Sequence, residues 1–143
     1  MAARAPSRQA GLLAPLALLA GGGVLLALGA LGIARRFRRY EVTGGSMLPA
    51  LRPGDWVVVD SAAYRDRPPR PREIALAADP RDPSRTLVKR VAGVEPGGAA
   101  RLLGDNPDAS TDSRTLGAFP AALLMGRVRW RYWPPPVRIR AAP

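Results

Sequence analysis

From Gly11 to Ala34 the chain runs for 24 residues without a charged side chain, mostly Leu, Ala and Gly, with Arg4 and Arg8 before the run and Arg35, Arg36, Arg38 and Arg39 after it. As a helix this run is about 36 Å long, enough to cross a hydrocarbon layer of about 30 Å with some tilt. The expectation is one transmembrane helix. A cleavable signal peptide is the main rival, but its apolar stretch is normally about 7–15 residues. Pro15 and Gly21 to Gly23 weaken the helix, and lipid tolerates such residues better than water does. The chain then divides into a basic N-terminal tail over 1–10, the helix over 11–34, a basic juxtamembrane segment over 35–41 and one domain over 42–143.

Two arginines and the terminal amine precede the helix and four arginines follow it, a small bias toward a cytoplasmic C-terminal domain. The remainder from Tyr40 onward carries 16 basic and 11 acidic residues, a net charge of +5. That suits a domain close to an anionic bilayer and is too diffuse for a nucleic-acid groove, so no nucleic-acid partner is expected.

Secondary-structure signals in this remainder are mainly β. Asp55–Asp60, Ile74–Ala78, Thr86–Val94 and Arg101–Leu103 are short apolar or β-branched runs bounded by Pro, Gly and Asp, and Arg127–Tyr132 and Val137–Arg140 alternate as half-buried strands do. Arg65–Arg72 is a Pro-rich connection that cannot enter a sheet. Only Pro120–Leu124 offers a helical turn. Trp130, Tyr132 and Trp133 read as strand or core packing in preference to an interfacial membrane contact. The fold class is therefore mainly β, a small antiparallel domain on a membrane helix.

The chain has no Cys and no His, which excludes a Ser-His-Asp triad, an imidazole metal site, a thiolate nucleophile and a disulfide frame. Its 22 basic residues include a single lysine, Lys89. Arg stays protonated at any working pH, whereas a buried Lys can lose its proton near neutrality. Catalytic groups, if any, must come from Ser, Thr, Lys, Tyr, Asp or Glu. A lone lysine is either a by-product of an arginine-rich composition or a special group, and Lys89 lies within an apolar strand, on the face opposite Val88 and Arg90.

Three other stretches carry chemistry. Gly44-Gly45-Ser46-Met47-Leu48-Pro49 places a serine after two glycines and before a stiffening proline, which presents Ser46 at a fixed angle. Arg52-Pro53-Gly54-Asp55 reads as a type II turn into a strand. Leu103 to Arg114 is a dense polar loop in which Asp112 suits a buried ion pair with Arg114 or a neighbour.

In this order, SMLPALRPGDWVVV, LVKRVAGV and GDN…STDSR resemble the boxes of the type I signal peptidase family, the Ser/Lys membrane proteases, from Val42 to about Val128. The resemblance implies a signal-peptidase-like β fold, with Ser46 as nucleophile and Lys89 as general base. It further implies Ser110 as the serine that orients the lysine, and Asp112 and Arg114 as braces. The activity implied is a membrane-anchored serine endopeptidase that removes signal or leader peptides, cutting after small side chains in a precursor bound as an added strand. Some members supply an oxyanion donor from a hydroxyl two residues before the nucleophile, where this chain has Gly44. No metal or organic cofactor is implied.

Only 14 residues separate Lys89 from Gly104, where larger relatives insert a second β domain. This short form, with its ending Gly126 to Trp133, also resembles maturation proteases of nickel-type superoxide dismutase. Export processing implies a cell-membrane protein with an extracytoplasmic catalytic domain, and superoxide dismutase maturation implies a cytoplasmic one. Two further rivals are a self-cleaving Ser/Lys repressor, which would need a DNA-binding segment in place of the apolar run, and a catalytically idle membrane-anchored binding module.

Overall fold

The computed structural model describes residues 25–134 and 137–138. The chain divides into two units, Met1–Arg35 and Arg36–Pro143. Most of the expected transmembrane run lies outside the described residues. Its end is helical over residues 25–36 (α1), with Leu25, Leu26 and Ile33 exposed. Among the described residues no helix is long and apolar enough to cross a membrane.

The second unit is built on one antiparallel sheet of seven strands: β1 Phe37–Glu41, β2 Trp56–Asp60, β3 Ile74–Asp79, β4 Asp82–Val94, β5 Ala100–Leu103, β6 Leu124–Trp133 and β7 Val137–Arg138. The spatial order is β1-β2-β6-β3-β4-β5, with β7 beside β6. Each expected run falls on a strand, residues 139–140 lying outside those described; β4 and β6 start earlier than expected, β6 at Leu124 instead of Arg127, and β1 is an additional strand. β4 begins at Asp82 instead of Thr86, because Asp79 pairs with Asp82 across a tight Pro80-Arg81 connection. β1 occupies residues expected to be a juxtamembrane segment, pairing Phe37 with Asp60 and Glu41 with Trp56.

β3 explains why a short apolar run without alternation belongs in the middle of the sheet. Ile74 and Leu76 join a core of Val42, Met47, Leu51, Val57, Val59 and Val128, while Ala75 and Ala77 join a second core of Leu87, Val91, Ala100, Leu102 and Phe119 on the other face. A strand buried on both faces has no polar side to alternate with.

The polar loop after β5 holds helical structure beyond the single turn expected near Pro120, which is present as a 3-10 turn over Ala121–Leu123. Pro107–Ala109 is another 3-10 turn, and Ser113–Leu116 is a short α-helix, α2. Asp112 caps α2 by accepting from the Arg114 N–H, and Gly117 at φ 76° ends it. The Pro-rich connection is irregular, as expected. The aromatic residues of β6 show strand packing, Trp130 on Phe37 and Tyr132 on Trp56, but no core placement of the tryptophans, with Trp130 38% and Trp133 64% exposed.

Candidate active site

Ser46 sits in the turn between β1 and β2. The residues after it make one helical turn, with Leu51 N–H donating to the Met47 carbonyl at 2.8 Å. Met47 and Leu51 are fully buried, so the hydrophobic effect fixes the segment that carries Ser46. The type II turn is present at Arg52–Asp55: the Asp55 N–H donates to the Arg52 carbonyl at 3.0 Å, and Gly54 has φ 87°.

Lys89 projects from β4 into the same place. Burial along β4 alternates from Leu87 to Val91, with Leu87, Lys89 and Val91 inside and Val88 and Arg90 half-buried. Lys89 is 3% exposed, and its Nζ lies 2.6 Å from Ser46 Oγ. Burial lowers the Lys89 pKa from its ordinary value, with Asp112 opposing the shift and Arg85 and Arg114 adding to it.

Asp112 organises the loop opposite. Fully buried, it accepts from Ser110 Oγ at 2.6 Å, from the Gly104 N–H at 2.8 Å and from Arg114 Nε and NH2 at 2.9 and 2.6 Å. Burial pushes its carboxyl up, but the hydrogen bonds from Arg114, Gly104 and Ser110 outweigh that and hold it well below the carboxylate range. The ion pair expected of Asp112 and Arg114 is therefore formed. Ser110 makes no hydrogen bond to Lys89 among the described residues, and its hydroxyl is given to Asp112.

Three features escaped the sequence reading. Asn106 N–H donates to the Ser46 carbonyl at 2.9 Å, and Asn106 Nδ2 donates to the Gly45 carbonyl at 3.3 Å. Arg90, outward on β4, grips Asp105 with two bonds of 2.7 and 2.6 Å. A Cβ on Gly104 would stand 2.6 Å from Ser110 Cβ and 2.7 Å from the Ser46 carbonyl oxygen, so only glycine fits there. Reading GDN as three separate contacts would have found them; the opposed placing of Lys89 and Arg90 is legible in the strand, but the Asp105 partner is not.

A cleft of about 320 Å³ opens beside Ser46 and Lys89, between Tyr40–Gly44 and Arg85–Lys89. β5 pairs with β4 only from Arg90 onward, so among the described residues Arg85–Lys89 keeps one edge without a strand partner along this cleft. The Ser46 N–H donates to no other described group. Among the described residues no group of three or more His, Cys, Asp or Glu could hold a metal.

The family described as "Signal peptidase, peptidase S26" matches residues 16–99 and 96–133. The chain is 33% identical over 113 residues to mitochondrial ATP-independent inner membrane protease subunit 1b of Arabidopsis thaliana, covering 64% of this chain and 67% of that protein. It is 34% identical over 117 residues to subunit 1a of the same organism, covering 66% and 70%. Mitochondrial inner membrane protease subunit 1 of Homo sapiens is 31% identical over 111 residues, covering 64% and 67%.

Proposed function

The chain belongs to the signal peptidase S26 family, and on that premise we propose that it is a membrane-anchored Ser/Lys endopeptidase that removes N-terminal signal or leader peptides from precursor proteins. The observation that carries the reading is the 2.6 Å approach of a buried lysine to a serine hydroxyl at the floor of an open cleft.

In this mechanism a precursor lies along the free edge of β4 as an added strand, with small side chains at the first and third positions before the cut. Neutral Lys89 takes the proton of Ser46 Oγ as the oxygen attacks the scissile carbonyl. The Ser46 N–H receives the developing oxyanion, a contribution of about 3–4 kcal/mol for one such donor. Lys89 then gives its proton to the leaving amine, and the acyl-enzyme on Ser46 is hydrolysed by water that Lys89 deprotonates. Ser110, Asp112, Arg114 and Gly104 hold the wall against which Lys89 is desolvated. The uncharged run over 11–34 anchors the chain in a membrane, with the catalytic unit extracytoplasmic.

Cleavage of a precursor panel by the full chain in detergent tests this, with export signals, organelle leaders and a nickel superoxide dismutase pro-form in the panel. Ser46→Ala and Lys89→Arg each abolish cutting by folded protein. Surviving activity in either variant rejects the dyad, and cutting confined to the superoxide dismutase pro-form replaces the substrate class and turns the domain to the cytoplasmic side.

A further inference from the structure

The cleft beside Ser46 and Lys89 ends in a positive charge that the chemistry above does not use. Lys89 and Leu87 line it from one face of β4 and are 3% and 5% exposed. Arg85 comes next on that face and also lines the cleft, with a side chain 57% exposed. Over four residues, about 13 Å of strand, the wall thus passes from a buried floor to an open cation.

Arg85 has more donors than it uses. Among the described residues its ion-pair partner is Asp79, with NH1 3.7 Å from Oδ2, too long for a hydrogen bond. Arg81 approaches Asp79 at the same distance, so one buried carboxylate stands between two guanidiniums. Asp82 also feels the Arg85 charge, but it accepts from the Ser84 N–H and Oγ at 3.0 and 2.6 Å and lies outside the cleft. Glu41 lines the opposite wall, yet Tyr40 and Val42 beside it pack into the core, which turns the Glu41 side chain to the other face of β1. The Arg85 charge reaches along the cleft as far as Lys89, whose protonation it opposes.

In the mechanism proposed above, the precursor segment before the cut pairs with Arg85–Lys89. Residues paired across strands share a face, so the first, third and fifth residues before the cut stand over Lys89, Leu87 and Arg85. The first two meet a closed floor that suits small side chains, and the fifth meets a guanidinium with N–H groups to give. We infer that Arg85 is a specificity-determining residue, which selects precursors carrying a carboxylate side chain, Asp or Glu, about five residues before the cut. The inference rests on the endopeptidase reading and adds a charge preference to it.

The precursor that the full chain cuts fastest in detergent is remade with Asp, Gln or Lys, singly, at the fourth, fifth and sixth positions before the cut. At one of these positions kcat/KM for Asp exceeds that for Gln by about three- to fivefold, with Lys below both, and the preference fades in about 0.5 M salt. Because Arg85 also bears on Lys89, variants are compared only by the ratio between substrates, in which the shared dyad cancels. Arg85→Gln brings the ratio to about one and Arg85→Glu reverses it. Both keep the fold, since the side chain is exposed and Asp79 retains Arg81 and its backbone N–H at 3.0 Å. Cutting that needs Ser46 but ignores charge at all three positions overturns the inference and leaves the endopeptidase reading standing. A preference for Asp that persists in Arg85→Gln also overturns it. Cutting that survives Ser46→Ala, or no cutting by folded protein, overturns the reading beneath it and the inference together.

Discussion

Arg90 and Asp105 form a two-pronged ion pair, 2.7 and 2.6 Å, that ties the strand carrying Lys89 to the loop whose Asn106 holds the Ser46 carbonyl. Arg90 also donates to the Arg72 carbonyl at 3.0 Å. Neighbouring residues of β4 thus face different partners, Lys89 meeting Ser46 and Arg90 tying the strand to the Asp105 loop.

Arg90→Lys keeps a charge but loses the fork. Cleavage by this variant falls about tenfold, the cost of a fraction of an ångström in a reacting pair. Circular dichroism checks that the sheet persists, and a wild-type rate would show that the pair does not position the site.

The pKa of Lys89 is lowered in the fold from the ordinary 10.5. The unfolded chain therefore binds the extra proton between the folded value and 10.5, and stability rises with pH across that window. Below it, folding must bury a charged ammonium. Lys89→Met accordingly melts at a higher temperature than wild type at neutral and lower pH, and the gap closes toward pH 10.5. Melting curves across pH decide it, and the cleavage rate of wild type rises through the folded pKa, at the lower edge of that window, and then levels off.

Asp112 has the opposite sign. Its folded pKa is depressed, so its contribution is present above the ordinary 3.8 and is lost as pH falls below that value. Asp112→Asn lowers Tm by about 5 °C or more at neutral pH, with the difference shrinking in strong acid. Ser110→Ala removes one bond to the same carboxylate and lowers the rate without abolishing it. An unchanged rate rejects a role for that hydroxyl.

Gly104→Ala forces its Cβ against Ser110 and the Ser46 carbonyl. Overpacking of this kind costs about 1–3 kcal/mol. Because the atoms displaced belong to the site, cleavage falls by more than the loss of Tm accounts for. Parallel melting and kinetic measurements separate the two.

Much of this was legible before the fold. Lys89 stood out as the lone lysine, on the strand face opposite Val88 and Arg90, and burial from Leu87 to Val91 follows that alternation. The order of the boxes carried the family. β1 was not legible, because Phe37-Arg38-Arg39-Tyr40-Glu41 is an edge strand whose polar residues face solvent and whose strand character comes from pairing with β2. The helix at Ser113 was available in Asp112 and Gly117, a cap and a stop, but lay hidden in a loop that composition alone makes polar. The exposure of Trp130 and Trp133 could not be read from alternation, which gives two faces without saying which one is covered.

The two cores on either side of β3 each hold one partner of the candidate site. Ser46 is moored through Met47 and Leu51 to one core, and Lys89 is bracketed by Leu87 and Val91 of the other. Neither core alone brings the two side chains together. On the proposed mechanism their contact works as a conjunction: Ser46 and Lys89 act only where both cores are formed, so damage to either core silences the pair.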